Sequence, residues 1–134
     1  MIFVDTSYWV AFRNRRDKHH LEALALLKAH DRASLITTNH VRGETWTFLR
    51  RRVGHESAVD FLDALEGSQR IRTIFITEKL ETDALRWLRR HGEREYSFVD
   101  ATSFALMTAL RMRETMAFDD NFSAAGFVQP RAER

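Results

Sequence analysis

The amino-acid sequence contains no cysteine, one proline and five glycines in 134 residues. Without cysteine the chain can form neither a disulfide nor a thiolate metal site, and this absence is compatible with a reducing compartment. The scarcity of proline and glycine argues against long disordered linkers. The apolar N-terminus lacks the basic residues of a signal peptide, and no stretch approaches the length of a membrane span. We therefore expect a cytoplasmic protein without membrane contact.

The length and charge of the chain suit one compact domain, which we expect to span residues 1–134. Its 21 basic and 19 acidic residues give a net charge of +2. If four acids were gathered in one pocket, 21 bases and 15 acids would leave +6 on the remaining surface, which would attract a polyanion. Arginine-rich runs at residues 13–18, 50–52 and 86–90 suit phosphate contacts, although each run is also typical of a solvated helix face.

Short apolar runs alternate with helical patterns along the chain. The sequence predicts strands at residues 1–4, 34–37, 72–77 and 115–118, and a final edge strand at 126–128. Helices are predicted near residues 6–14, 19–30, 39–53, 56–67, 78–92 and 101–110. This alternation favours an α/β fold, a three-layer α/β/α sandwich with a mainly parallel central sheet.

Two of the predicted helices have recognisable apolar faces. Leu21, Leu24 and Leu27 recur at near-helical spacing in the second helix. In the third helix, the apolar stripe is formed by residues that share one face, namely Val41, Thr45, Phe48 and Leu49. Glu44 flanks this stripe instead of lying opposite it, so the sequence predicts a carboxylate beside the core.

Acidic residues recur at the predicted carboxyl edge of the sheet. Asp5 and Asp119 follow strands, and Asp100 precedes the run of residues 101–110. Each acid has an ordinary explanation, since Asp5 and Asp100 could cap helices and Asp119, Asp120 and Asn121 could form a turn. Carboxylates beside a core are costly unless they are paired or bind a cation, and several at one edge favour a shared ion.

The ligand types indicate which ion this would be. Oxygen ligands without cysteine favour Mg²⁺, with Mn²⁺ as the alternative. A zinc site at His19 and His20 is disfavoured because adjacent residues on a helix face different directions, so we expect surface roles for both. A carboxylate-held Mg²⁺ takes phosphate oxygens as further ligands, which points to phosphodiester hydrolysis.

Four stretches together resemble the PIN domain, and more narrowly the VapC-type ribonuclease toxins of bacterial toxin–antitoxin pairs. They are FVDTS, NHVRGETW, YSFVDATSFA and AFDDNFSAAGF, and their order and spacing match the family over essentially the whole chain. The resemblance implies a three-layer α/β/α fold and a metal-dependent endoribonuclease that uses Mg²⁺ or Mn²⁺.

The resemblance also implies roles for particular side chains. Asp5 and Asp100 correspond to the principal metal ligands, and Glu44 and Asp119 would complete the catalytic pocket, directly or through water. Two further residues have supporting positions: Thr6, whose hydroxyl would help to position the metal or its water, and Asp120, which doubles the acid of the last motif. Which member of the pair at 119 and 120 faces the metal stays open at this point.

For partners, the resemblance implies a homodimer, a cognate antitoxin that lies in or across the active site, and a structured RNA substrate such as transfer RNA or a ribosomal RNA loop. Several aromatic residues could stack on unpaired bases, although packing in the core or in a dimer interface is the more common role. They are Trp9, Trp46, Trp87 and Tyr96.

Three other functions compete with the endoribonuclease. An aspartyl phosphatase with Asp5 as nucleophile commonly has a second acid two residues further on, where this chain has Ser7. A DNA nuclease could use the same acidic pocket, and cleavage of RNA and of single-stranded DNA would separate the two. A non-catalytic module that binds RNA or a partner protein would use the acids only as helix caps and would be indifferent to Mg²⁺.

Overall fold

The structure is a computed structural model that describes residues 1–132. Within these residues, four parallel strands form one sheet in the spatial order β3-β2-β1-β4. The strands are β1 Ile2–Val4, β2 Leu35–Thr38, β3 Ile71–Ile74 and β4 Thr115–Met116. The same residues form seven helices: α1 Thr6–Arg13, α2 His20–Ala29, α3 Asn39–Arg52, α4 His55–Gly67, α5 Glu78–Arg90, α6 Phe98–Ala109 and α7 Asn121–Ala124. The predicted α/β fold with a parallel sheet flanked by helices is confirmed.

The sheet is built around β1. Phe3 of this strand pairs with Ile36 of β2 on one side and with Thr115 of β4 on the other. Phe3 and Val4 are completely buried, as expected for the central strand of a parallel sheet covered on both faces. Because all strands run in one direction, the residues that follow β1 and β4 emerge at the same edge of the sheet.

Three details of the predicted strands are wrong. β3 ends at Ile74 rather than at residue 77, because the backbone N–H of Ile76 leaves the sheet to bond Oδ1 of Asn39 at 2.8 Å. The predicted edge strand at residues 126–128 is reduced to one parallel bridge between Glu114 and Val128. β4 comprises only Thr115–Met116.

The predicted face of α2 is also wrong. Leu21 is 79% exposed and Leu24 is exposed as well, whereas Ala23 and Leu26 are completely buried. The reason is the contact of α2 with α1, where the hydroxyl of Tyr8 donates to the carbonyl of Ala23 at 2.8 Å. A small residue at position 23 lets the two helices approach, and this turns the leucines at 21 and 24 outward.

The four aromatic residues considered for base stacking pack in or against the core, and α3 buries most of its predicted apolar face. Trp9 is buried in the core, and Trp46, Trp87 and Tyr96 are partly buried and pack against it. In α3, Val41, Thr45 and Leu49 are buried as predicted, but Phe48 is partly exposed. Within residues 1–132, no helix is both long and apolar enough to cross a bilayer.

Candidate active site

A cleft of about 670 Å³ opens where β1 and β4 end and α1 and α6 begin. The residues that border it include all four acids singled out in the sequence, Asp5, Glu44, Asp100 and Asp119. A larger groove of about 960 Å³ borders α1, α2 and α4, and acids and bases are mixed in its lining. The concentration of carboxylates, and not the size of the cavity, marks the smaller cleft as the candidate site.

Asp5 follows β1 directly and caps the N-terminus of α1. Its Oδ2 accepts hydrogen bonds from the backbone N–H of Ser7 at 3.1 Å and from the Ser7 hydroxyl at 2.7 Å. The residue is only 3% exposed. Burial, and secondarily the negative charge of Asp119, raises the pKa of Asp5 to about 7, although the Ser7 bonds act in the opposite direction.

Ser7 also ties the two strand ends together. Its Oγ accepts a hydrogen bond from the backbone N–H of Phe118 at 3.0 Å, just after β4. One hydroxyl therefore contacts the carboxylate after β1 and the backbone beside Asp119. This explains structurally why a serine, rather than a second acid, stands two residues after Asp5.

Asp100 lies in the first turn of α6 and not before the helix, which corrects the predicted start of this helix at residue 101. Ser97 is the N-cap, and Ser97 and Asp100 form a reciprocal capping box in which Oδ2 of Asp100 accepts from the Ser97 N–H at 3.0 Å. The same oxygen accepts from Nδ2 of Asn121 at 2.9 Å. Capping is thus a real role of Asp100, as it is of Asp5.

Capping engages only part of each carboxylate. In residues 1–132, the hydrogen bonds to Asp5 and to Asp100 all fall on Oδ2. The Oδ1 atoms receive no donor from this part of the chain, although both residues are buried and border the cleft. A helix cap therefore does not use the full bonding capacity of either group.

The two adjacent acids after β4 differ in position. Asp119 borders the cleft and is partly buried, and its Oδ1 accepts from the backbone N–H of Asn121 at 3.0 Å. Burial is the main cause that raises the pKa of Asp119, and the charge of Asp100 adds to it. Asp120 is exposed at the start of α7. The structure thus brings Asp119, and not Asp120, to the cleft.

Glu44 reaches the cleft from α3. Burial raises the pKa of its carboxyl group, with smaller contributions from Asp100 and Asp119, but the residue is exposed, so solvent weakens these effects. The nearby hydroxyl of Thr6 lowers the same pKa. Among the described residues, no partner meets the geometric limits of a hydrogen bond to the buried Thr6 Oγ1. Thr6 therefore acts on Glu44 by proximity, and its oxygen keeps unused bonding capacity.

These observations test whether the cleft suits a divalent cation. In their positions within residues 1–132, no three His, Asp or Glu side chains are close enough together to enclose an ion. The donor chemistry nevertheless fits a hard cation, since four carboxylates and the unpartnered Thr6 hydroxyl are all oxygen donors. Burial is the main cause that raises the pKa of Asp5, Glu44 and Asp119, and repulsion between the carboxylates adds to it, whereas Arg94 offsets part of the rise in the pKa of Asp119.

Three polar residues and a histidine of this cleft were not predicted from the sequence to belong to the site. Ser7, Ser97 and Asn121 form hydrogen bonds with the aspartates. The sequence features that could have identified them were a hydroxyl near Asp5, a serine before a helix and an asparagine interpreted as part of a turn. His19, for which we expected a surface role, is partly buried and stacks on Phe118, with ring centroids 4.6 Å apart.

Comparison with known proteins agrees with the fold and the motifs. The PIN domain family model matches residues 2–128. The chain is 51% identical over 133 residues, 99% of this chain and all of the relative, to the 23S rRNA-specific endonuclease VapC20 of Mycobacterium tuberculosis. A VapC ribonuclease of Archaeoglobus fulgidus is 27% identical, over 90% of this chain and 78% of the relative.

Solved structures extend this comparison. The crystal structure of Mycobacterium tuberculosis VapC20, described as a sarcin–ricin loop cleaving toxin, superposes with a TM-score of 0.92 at 50% identity and covers 98% of this chain and 99% of that one. A toxin–antitoxin complex from Klebsiella pneumoniae shares the fold, with a TM-score of 0.71 at 13% identity, 94% of this chain and 92% of that one. The chain therefore belongs to the PIN domain family and, within it, to the VapC-type ribonuclease toxins.

Proposed function

We propose that this chain is a divalent-metal-dependent endoribonuclease that hydrolyses phosphodiester bonds in structured RNA and acts as the toxin of a toxin–antitoxin pair. The observation that carries this proposal is the meeting of four carboxylates from distant parts of the chain, Asp5, Glu44, Asp100 and Asp119, in one cleft. The proposal treats residues 1–134 as one nuclease domain.

Within the proposal, Asp5 and Asp100 are the principal ligands of Mg²⁺ or Mn²⁺, and Glu44 and Asp119 complete the site. The bound cation would activate a water for attack on phosphorus and neutralise charge on the phosphate oxygens. Thr6 supplies a further oxygen beside Glu44. Asp120 is exposed, so the proposal gives it no contact with the ion.

The chain's own contribution to this chemistry is to orient the carboxylates. Ser7 holds Asp5, whereas Ser97 and Asn121 hold Asp100, each through Oδ2. Hydrogen bonds to one oxygen of a carboxylate also fix the orientation of its other oxygen. Metal-binding side chains are commonly supported in this way by neighbouring donors. Burial of both aspartates limits the access of bulk water, which strengthens electrostatic contacts inside the cleft.

The proposed substrate is the sarcin–ricin loop of 23S ribosomal RNA. This choice is supported by the 51% identity, across the whole chain, to a relative named for cleaving 23S rRNA. The wide excess of arginine over lysine on the chain is consistent with contacts to RNA phosphates. The proposed partners are a cognate antitoxin, as in the structural neighbour described as a toxin–antitoxin complex, and a second copy of the chain in a homodimer.

The experiment that tests this proposal is cleavage of a synthetic sarcin–ricin loop RNA by the purified protein. We expect cleavage at one position with Mg²⁺ or Mn²⁺, none with EDTA, and none by Asp100→Asn. Asp120→Asn is the matched control, because it removes an exposed carboxylate from the same region. Single-stranded DNA of the same sequence distinguishes a ribonuclease from a DNA nuclease, and sequencing of RNA ends in cells after induction locates the cut.

The non-catalytic alternative has one observation in its favour, since Asp5 and Asp100 do cap helices. A module that uses these acids only as caps would bind RNA equally well with Mg²⁺ or EDTA and would leave the RNA intact. Intact RNA after prolonged incubation of wild-type protein with Mn²⁺ would favour this alternative over the nuclease.

A further inference from the structure

A column of aromatic rings runs from the core to the candidate active site. Phe12 stacks on Tyr8 with centroids 6.0 Å apart, and Tyr8 stacks on Phe118 with centroids 5.9 Å apart, each pair inclined by 19°. The column continues to His19, whose ring lies 4.6 Å from that of Phe118 at an angle of only 3°. Tyr8 is completely buried, so the column is anchored in the core.

His19 is the end of this column at the cleft. Phe118 covers one face of the imidazole, and the His19 side chain is 26% exposed. His19 borders the same cleft as the four acids, Asp5, Glu44, Asp100 and Asp119. Most of the side chain is thus packed, and the residue lines the cleft that also contains the four carboxylates.

Hydrogen bonds fix the main chain at His19, and the ring itself packs on Phe118. The N–H of His19 donates to Oδ1 of Asp17 at 2.8 Å, and its carbonyl accepts from the N–H of Ala23 at 2.9 Å, in the first turn of α2. Its Nδ1 lies 3.9 Å from Oε1 of Glu22. A ring that is already ordered loses little conformational freedom when a ligand stacks on it.

An ordered aromatic ring beside a site that cleaves phosphodiesters suits an unpaired nucleobase. Proteins that recognise RNA loops stack splayed bases on aromatic side chains, and removal of one such platform weakens binding by about 5- to 150-fold. Lys18, next to His19, is exposed and borders the same cleft, where its ammonium group can contact a phosphate.

We propose that His19, supported from behind by Phe118, is a substrate-positioning platform on which an unpaired base next to the cut site stacks. This inference rests on the proposed ribonuclease function and assigns to the site a specificity residue at the N-cap of α2. The proposal does not use the four aromatic residues considered for stacking in the sequence, because they pack in or against the core: Trp9, Trp46, Trp87 and Tyr96.

The test compares His19→Leu with His19→Phe on a sarcin–ricin loop RNA. Leucine keeps apolar packing against Phe118 but has no flat face, whereas phenylalanine keeps the flat face. We expect His19→Leu to raise KM about tenfold with kcat within about twofold of wild type, and His19→Phe to restore KM to within about threefold. His20→Ala is the control, since His20 contacts the Ala11 carbonyl at 2.8 Å and borders the other groove.

Abasic nucleotides identify the stacked base. With wild-type protein, one abasic position in the loop should raise KM about tenfold, and with His19→Leu the same abasic position should cause no further increase. Equal KM values for wild type and His19→Leu, or an unchanged penalty for every abasic position in the variant, would overturn the stacking role. Thermal melting of each variant separates loss of folding from loss of stacking.

A binding measurement keeps this inference separate from the proposed function. Fluorescence anisotropy of labelled RNA with Asp100→Asn, alone and combined with His19→Leu, reports stacking without cleavage. If wild-type protein fails to cut RNA, the proposed function is wrong, and about tenfold weaker binding of the double variant would still support the platform. If wild type cuts and the double variant binds as tightly as Asp100→Asn, only the platform is wrong.

Discussion

Two stretches of this chain have nearly the same sequence and fold differently. FVDTS at residues 3–7 ends a strand and then begins α1, whereas FVDATS at residues 98–103 is helical from its first residue. Phe3 is completely buried, but Phe98 is 39% exposed. The same three letters therefore serve as the centre of a sheet in one place and as the first turn of a helix in the other.

The neighbours of each stretch account for the difference. Phe3 has pairing partners on both sides, in β2 and β4, so its backbone is held in extended form. Phe98 follows Ser97, which accepts a hydrogen bond from the N–H of Asp100 at 2.9 Å, and the helix therefore begins three residues earlier than it would if Asp100 were the cap. Strand or helix is thus decided by contacts outside the shared letters.

Despite this difference, both aspartates reach the same cleft in the same manner. Asp5 and Asp100 each lie at the N-terminus of a helix, where the unpaired N–H groups and the helix dipole favour negative charge. Each uses Oδ2 for hydrogen bonds and borders the cleft. Two different local structures thus place a buried carboxylate at a helix start beside the same cleft.

The largest expected effect is the loss of RNA cleavage when either aspartate becomes asparagine. Asp5→Asn and Asp100→Asn should each reduce kcat by about a thousandfold or more, because under the proposed function each change removes a metal ligand and with it several kcal/mol of transition-state stabilisation. Single-turnover cleavage of the loop RNA measures this, with Asp120→Asn expected to retain normal activity. If only one of the two aspartates were needed, their proposed equivalence would be wrong.

The next effect is the dependence of the protein's folding stability on pH, to which the buried Asp5 contributes. Its pKa of about 7 in the folded protein lies above the ordinary value of 3.8, so the folded state binds the proton more tightly. The resulting stabilisation is complete below about pH 3.8 and is lost as pH rises toward 7, and the raised pKa values of Glu44 and Asp119 act in the same direction.

We therefore expect Asp5→Asn to stabilise the metal-free protein at pH 8 by up to about 4 kcal/mol, since one pKa unit corresponds to about 1.4 kcal/mol. Denaturant unfolding with EDTA between pH 5 and 8 measures this, and the slope with pH should be shallower in the variant. Adding Mg²⁺ at pH 8 should stabilise wild type more than Asp5→Asn. A wild-type stability that rises from pH 5 to 8 in EDTA would contradict the assignment.

A smaller effect is expected at Ser7, which supports Asp5. Ser7→Ala removes the acceptor of the Phe118 N–H and a donor to Asp5, and should lower the free energy of unfolding by about 1–3 kcal/mol. Urea unfolding with and without Mg²⁺ separates the two contributions, because bound cation would replace the lost donor. An unchanged stability would mean that water substitutes for the hydroxyl.

The smallest effect is expected at Ser97, which supports Asp100. Ser97→Ala removes one half of the capping box of α6 and should cost about 1 kcal/mol. Ser97→Asn, which retains a capping oxygen without adding a charge beside Asp100, is the matched control and should lie within a few tenths of a kcal/mol of wild type. Equal losses in both variants would show that the cap contributes nothing measurable here.

Much of the fold and the acids of the site were predictable from local patterns. The alternation of apolar runs with helical periods predicted the parallel α/β arrangement, and Glu44 was recognised because it flanks the apolar stripe of α3. Prediction failed where packing between elements decides, as for Leu21 and Leu24, which the contact of α2 with α1 turns outward. His19 was missed because its partner Phe118 is distant in sequence.

The sequence by itself determined which chemical groups the site can contain and the elements on which they stand, because periodicity, strand runs and capping residues act over a few neighbouring positions. Only the tertiary structure decided that Asp119 and not Asp120 borders the cleft and that His19 ends an aromatic column. Burial and orientation depend on contacts between residues about a hundred positions apart, which no local pattern contains.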